Sequence, residues 1–433
     1  MWENAVRFLS LQDANVRYVV LGSMLLAGAT GVLGCFAFLR KRSLVGDAIA
    51  HAALPGVCLA YLFTDSKEPV VLLAGAALSG WVGTFFIDRI RGLTPLKEDA
   101  AIAIVLTVFF GLGISLLTAI QSMGRASQAG LDKFLFGQAA SLMSRDVYVL
   151  GALAVFLCVA VLFSFKELQI LCFDPEFARS MGLPVRTLEF ILTALVVIAI
   201  AVGLQMVGVV LMAALLITPA AAARQWTDSL PKMVFLAGGI GALSGFAGAF
   251  ASSLAPRMPT GPWMVVTVSV VFGLSLLLAP RRGLLSRWLL RLQTRSTVAA
   301  EHVLTTLYRN AELEGRFLRP MPTDDILRYR PMTFQRVLAV LRSLKAEGMV
   351  AQTRTGWTLT EKGLAGARKT LRRHRLWELY LAQELNLPPD KVHHNADEVE
   401  HWLTEAQEEE LEAILAHPSK DPHSHAIPSR EVS

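Results

Sequence analysis

Residues 44–63 read Leu44-Val-Gly-Asp-Ala-Ile-Ala-His-Ala-Ala-Leu-Pro-Gly-Val-Cys-Leu-Ala-Tyr-Leu-Phe63, an apolar run broken by one carboxylate and one imidazole. As a helix the run is long enough to cross the hydrocarbon core of a bilayer. Asp47 and His51 are four residues apart, so a helix sets both on one face, where an oxygen and a nitrogen can grip the same divalent cation. The alternative is that Asp47 caps the helix start and His51 is a satisfied interior histidine. His51 is the only histidine before His302.

The surrounding chain is of the same kind. Of its 433 residues 53% are hydrophobic and only 18% charged, and the mean hydropathy is +0.47. A soluble domain of this size does not carry that balance on its surface. The bias is uneven: up to about Pro280 charges fall in short clusters between apolar runs, whereas from about Thr294 the chain has ordinary soluble composition and eight of the nine histidines. The expected divisions are a transmembrane part at 1–280, an amphipathic interfacial linker at 281–295, and a polar part beyond.

Nine apolar runs have spanning length: 16–39, 44–63, 69–88, 100–120, 147–165, 187–203, 205–221, 233–254 and 262–279. The sixth and seventh are divided only through Gly203-Leu-Gln-Met-Val-Gly208. Basic clusters follow the first, third, fifth, seventh and ninth runs, among them Arg40 to Arg42, Arg89 and Arg91, Arg186, Arg224, and Arg281 and Arg282. With nine spans these loops share one side, so the positive-inside rule sets the N-terminus outside and the polar part in the cytoplasm. The loop at 121–146 carries Arg125, Lys133 and Arg145 on the other side, and its amphipathic centre, Leu131 to Gly137, reads as an interfacial or re-entrant helix. Met1 to Gln12 lacks the basic start and apolar run of a cleaved export signal, so the first span is expected to stay.

Four scattered cysteines suggest neither a disulfide framework nor a thiolate metal site. The net charge of +6 comes from the basic clusters and does not point to nucleic acid. Glycines at 22, 28, 31 and 34 and from Gly238 to Gly248 let helices approach closely, as in any helical bundle. No phosphate-binding Gly-x-x-x-x-Gly-Lys-Ser/Thr loop occurs, so ATP-driven transport would need its ATPase in a separate subunit. Glu98 and Asp99, opening the fourth span, are a second candidate pair on an ion path, or a favourable cap at the positive helix end.

Three stretches together resemble the permease subunits of metal-ion ABC importers for manganese, zinc or iron. They are Arg42-Ser-Leu-Val-Gly-Asp-Ala-Ile-Ala-His-Ala-Ala-Leu-Pro-Gly56, Phe173-Asp-Pro-Glu-Phe-Ala-Arg-Ser-Met-Gly-Leu-Pro-Val185, and Val207 to Arg224 with its Thr218-Pro-Ala-Ala-Ala-Ala-Arg224 end. The resemblance covers most of 15–282. It implies a helical permease that pairs with a second copy or a sister permease, an ATPase docked at Pro219 to Arg224, and an extracytoplasmic metal-binding protein. Its location would be the plasma (inner) membrane, multi-pass. Asp47 and His51 then line the path of a borderline cation rather than soft cuprous copper.

Beyond 281–295, whose Leu284, Leu285, Trp288, Leu289 and Leu292 share a face, come helices expected at 296–313, 323–328 and 333–347. A two-stranded ribbon follows at 350–360, turning near Gly356. Helix, short helix, helix and ribbon is a winged helix-turn-helix pattern, assigned to 296–365. The remaining 366–433 holds Arg372-Arg-His-Arg-Leu-Trp-Glu378 and Lys391-Val-His-His-Asn-Ala-Asp-Glu-Val-Glu-His401, which cluster ligands at helical spacing. These resemble the metal-binding and dimerising segment of the diphtheria toxin repressor family. The resemblance implies one ligand set at His374, Glu378 and His393, a second at Asp397, Glu400 and His401, and His302 at a further ligand position. Asp397 stands where iron-type members have a thiol, which leans the set towards manganese.

The recognition helix offers few base-reading groups, Gln335, Arg336 and Arg342, which argues against DNA as a partner. The expected whole is an all-α polytopic membrane protein with a cytoplasmic winged-helix and helical metal-binding tail. Membrane lipid is a partner, a divalent metal is the substrate and a regulatory ligand, and the chain itself is no enzyme. A membrane-tethered metal-dependent transcription regulator and a secondary metal transporter are the alternatives.

Overall fold

The computed structural model describes residues 6–8, 10, 12–40, 42–66, 68–122, 137, 142–255, 258–314, 320–329, 332–384, 404–423 and 425–429. The chain divides into two compact units, Met1–Arg287 and Trp288–Ser433. Among the described residues of the first, nine helices are long and apolar enough to cross a membrane. They are α1 (Ala14–Leu39), α2 (Ser43–Thr64), α3 (Pro69–Leu93), α4 (Glu98–Ser122), α5 (Ser144–Phe163), α8 (Val185–Val207), α9 (Val209–Trp226), α10 (Leu230–Ser253) and α11 (Thr260–Leu278), with short helices α6 (Phe165–Phe173) and α7 (Pro175–Ser180) between α5 and α8. A helix satisfies its backbone groups internally, so apolar sequence of this length has no better conformation in hydrocarbon. The helix expected within 121–146 lies outside the described residues, except for its last position, Gly137.

The division between α8 and α9 rests on Gly208, whose φ of 88° and ψ of 165° lie where side-chain-bearing residues rarely go. Pro219, where the sequence suggests that the seventh span ends, does not end it. α9 runs through the proline to Trp226. Only the Leu215 carbonyl loses its helical donor, and the buried ring packs on α1, 3.2 Å from a Cβ built on Gly31.

α1 and α2 form the centre, with 72% and 67% of their apolar windows buried, against 22% for the peripheral α5 and α11. α1 packs on α10, α9 and α5, and α2 on α3, α4, α9 and α8. The two glycine-rich runs of the sequence meet each other. A Cβ on Gly31 would lie 2.6 Å from the Ala237 carbonyl oxygen, and one on Gly241 2.1 Å from that of Ala27. Close backbone approach replaces the hydrophobic drive that water would supply to a soluble bundle. Apolar side chains such as Phe63, Phe163 and Phe235 stand exposed on the outside.

α12 (Leu284–Glu314), which begins in the first unit and runs into the second, is a single helix of 31 residues. The sequence suggests two elements here, an interfacial helix and a separate one from 296. The change of composition near Thr294 is a change of surface character, and no Gly or Pro interrupts the helix there. α13 (Thr323–Tyr329), α14 (Phe334–Ala346), β1 (Val350–Gln352) and β2 (Trp357–Leu359) follow. The strands are antiparallel, pairing Val350 with Leu359 and Gln352 with Trp357, and Gly356 turns between them with φ 159°. Their core joins Val303, Leu307 and Tyr308 of α12 to Val337 and Leu341 of α14 and to Trp357. Thr360 caps α15 (Glu361–Gln383) by accepting the Gly363 N–H, and α15 runs straight through the boundary expected at 365/366. α16 (Glu405–Ile414) carries a capping box formed by Thr404 and Gln407.

Candidate functional site

Asp47 lies in the second turn of α2, whose N-cap position is Arg42 with no side-chain cap. Capping is therefore not its role. His51 Nε2 is 3.5 Å from Asp47 Oδ1, too far for a good hydrogen bond. His51 Nδ1 is buried without a partner among the described residues, and the imidazole meets the edge of Phe110 on α4 at 4.7 Å between centroids. An unpartnered buried nitrogen is costly, so His51 is not a satisfied interior histidine. Both ligand atoms lie on one face, on the helix at the centre of the bundle.

Pro55 sits inside α2, four residues after His51. It has no N–H, so the His51 carbonyl loses its helical donor and is left as an acceptor one turn before the proline. Carboxylate, imidazole and carbonyl together suit a borderline divalent cation. The spacing of four between His51 and Pro55 was visible in the sequence, but it signals a free carbonyl only once the helix is known to continue past the proline.

The other candidate pair is arranged differently. Glu98 Oε1 is 3.2 Å from Arg42 Nε and Glu98 Oε2 is 3.2 Å from Arg91. Both oxygens are thus engaged at the start of α4, and Asp99 is exposed beside them. Glu98 thereby ties the starts of α2 and α4 to the end of α3. At the end of α9 Arg224 folds back, donating to the carbonyls of Thr227 (3.3 Å) and Asp228 (3.1 Å). Asp228 also pairs with Arg282. Pro219 is buried within α9 and is not at its end.

In the second unit His374 Nε2 is 3.0 Å from Glu378 Oε1, with side chains 1% and 3% exposed. The i, i+4 spacing on α15 brings them together as the sequence suggests. A buried imidazole beside a buried carboxylate is a donor set that fits a divalent transition metal. His302, on α12, is half-buried, and its carbonyl accepts the Thr305 and Thr306 hydroxyls. His393, Asp397, Glu400 and His401 lie outside the described residues. Among the described residues no group of three or more metal-type side chains converges.

The sequence reading missed the charges on either side of His374. Arg372 bonds Glu408 (3.1 Å), Glu412 (2.6 Å) and the Pro428 carbonyl (2.7 Å). Arg373 bonds Glu408 (2.9 Å). Arg375 bonds Glu312 of α12 (2.7 Å) and the Ala426 carbonyl, and lies 3.6 Å from Asp421. Asp421 in turn accepts the N–H groups of His423 and His425. These arginines fasten α12, α15, α16 and the final segment into one body around the His374 and Glu378 pair.

Known families match two stretches of the chain. The ABC 3 transport family matches residues 12–279, and the iron dependent repressor, metal binding and dimerisation domain matches 360–429. The manganese transport system membrane protein MntC of Bacillus subtilis is 43% identical over 381 residues, covering 88% of this chain and 87% of that protein. The zinc transport system membrane protein TroC of Treponema pallidum is 45% identical over 273 residues, covering 63% and 92%. In the solved structure of PsaBC from Streptococcus pneumoniae in complex with Fab, a chain 30% identical superposes with a TM-score of 0.58, covering 64% of this chain and 97% of its own. The family match over residues 12–279 and the nine apolar helices among the described residues make this chain a member of the ABC 3 transport family of metal permeases, with a repressor-type metal-binding segment at 360–429.

Proposed function

We propose that the chain is the permease subunit of an ATP-driven importer of a divalent transition metal, manganese or zinc before iron, whose tail binds the same class of metal. The observation that carries this is the ligand set on α2. Asp47 supplies a carboxylate oxygen, His51 an imidazole whose Nδ1 is buried with no partner among the described residues, and Pro55 leaves the His51 carbonyl without its helical donor. A cation leaving water needs its hydration shell replaced, and it must be held loosely enough to be released. Few ligands on one chain, completed by water or by a second permease, meet both needs.

In this reading the N-terminus is outside and the polar unit is cytoplasmic, as the basic loops suggest. An ATPase docks near the α9 end, and an extracytoplasmic metal-binding protein delivers the ion. The permease pairs with itself or with a sister subunit. Residues 296–365 serve as a winged-helix module and 366–433 as a metal-binding module. Metal on His374 and Glu378, together with His393, Asp397, Glu400 and His401, would throttle transport if it binds one transport conformation better than another.

Two measurements test this. In cells lacking their own importers, the chain with its ATPase and binding protein should support uptake of radioactive manganese or zinc. Asp47→Ala with His51→Ala should abolish that uptake at unchanged membrane abundance, and normal uptake by the double variant would remove the pair from the path. For the tail, manganese should raise the unfolding midpoint of the purified full chain, and the gain should vanish in His374→Ala with Glu378→Gln. A gain that persists would place regulatory metal elsewhere.

A further inference from the structure

Where α3 ends and α2 and α8 begin, a recess of about 520 Å³ opens on the outside of the bundle. Its size is that of a small-ligand pocket. Trp81 and Phe85 of α3 and Phe190 of α8 form apolar walls, with the Trp81 and Phe190 rings 5.0 Å apart. The charged lining is two arginines, Arg42 and Arg186, and two carboxylates, Asp88 and Glu189. Arg42 is committed to Glu98, and Glu189 to Arg40. That leaves Arg186 and Asp88, which have no ion pair or hydrogen bond with any described residue although both line the recess.

We infer that this recess binds the headgroup of phosphatidylethanolamine, with phosphate at Arg186 and the primary ammonium at Asp88. Three features select that occupant. Asp88, in the last turns of α3, and Arg186, in the first turn of α8, set the two charges at the end of a membrane bundle, where headgroups lie, and Trp81 and Phe190 line the recess deeper in. The two uncommitted charges are opposite in sign, so a zwitterion leaves neither unpaired, whereas an anionic lipid would leave Asp88 facing a negative headgroup. A carboxylate accepts N–H bonds from a primary ammonium, which choline cannot donate. The apolar walls then continue along the first acyl methylenes. Occupancy would bridge α3 to α8, both of which pack on α2, so the lipid would steady the helix that carries Asp47 and His51.

The test uses the full chain, stripped of lipid in detergent and then given phosphatidylethanolamine, phosphatidylcholine or phosphatidylglycerol with identical acyl chains. Phosphatidylethanolamine should raise the unfolding midpoint by several degrees more than the other two. Arg186→Glu and Asp88→Lys should each remove that excess, and the swap Asp88→Arg with Arg186→Asp should restore it. Equal effects of the three lipids, or an excess untouched by either substitution, would overturn the assignment. If the charge variants do not accumulate, quenching at Trp81 decides. Fluorescence quenching assigned to Trp81 by difference from Trp81→Phe should be stronger with brominated phosphatidylethanolamine than with brominated phosphatidylglycerol. Equal quenching, or Trp81 shielded by a second copy of the chain, rejects the lipid site.

Discussion

Gly56 of α2 and Gly75 of α3 face each other so closely that a Cβ built on either would lie 2.1 Å or 2.5 Å from the other's carbonyl oxygen. The contact is little more than one turn beyond His51, and the Ser79 hydroxyl of α3 bonds the Ala52 carbonyl at 2.7 Å in the same stretch. The position of the ligand-bearing turn is therefore fixed by backbone against backbone. Gly75→Val has no room to rotate away, because Ala60 Cβ is only 2.6 Å from the built atom. Overpacking of this kind costs about 1–3 kcal/mol. The purified variant should melt several degrees lower, and metal uptake should fall even at matched membrane abundance.

Pro55→Ala tests the freed carbonyl. Restoring the N–H lets residue 55 bond His51 within the helix, which should stabilise α2 by up to ~3 kcal/mol. The same change withdraws a ligand atom from the path. A higher melting temperature with slower manganese uptake is expected. Unchanged uptake would show that the carbonyl plays no part in transport.

Arg224→Glu would set a carboxylate four residues from Asp228 and remove the donor that closes the end of α9. Like charges in contact repel, and Arg282 would be left with two carboxylates to choose between. Loss of ATPase from pull-downs, together with lost transport and normal insertion, is expected if this end is the docking surface. Retained ATPase and transport would move the contact elsewhere.

The tail should be sensitive to acid through Glu412. A hydrogen bond from Arg372 holds its carboxyl below the ordinary glutamate range; burial opposes this, and His417 adds to the lowering. A depressed carboxylate takes up its proton later in the folded chain than in the unfolded one. Its contribution is therefore complete above the ordinary value of about 4.3 and is lost as pH falls through the folded value. Hydrogen exchange of α16 in the full chain should show protection declining in that acid window. In Glu412→Gln the protection should be lower above the window and flatter across it.

Much of this was legible in the sequence, and the parts that were not share a cause. All nine spans follow from length and apolarity, which are local properties, as is the i, i+4 spacing that unites Asp47 with His51 and His374 with Glu378. Pro219 misleads because the cost of an interior proline can be met by packing, here on Gly31 of a helix far away in sequence. Glu98 reads as an acidic residue near a path until Arg42 and Arg91 are seen to hold both its oxygens. Arg224 stands in the sequence without the Thr227 and Asp228 carbonyls that it bonds in the fold. Partners brought by tertiary structure decide what a charged residue is available for, and a single sequence does not name them.

The arginines around His374 bear on how the protein can be handled by proteases and by truncation. Arg372 and Arg375 are almost fully buried, and each takes a backbone carbonyl from the final segment, Pro428 and Ala426 respectively. A cut before residue 426 would strip both guanidiniums of an acceptor while leaving them out of water, a heavy penalty for a buried charge. Those closing residues act as a strap that completes the metal-binding unit. Clipping them should loosen α15 and with it the His374 and Glu378 pair, far more than the loss of a few surface residues would suggest.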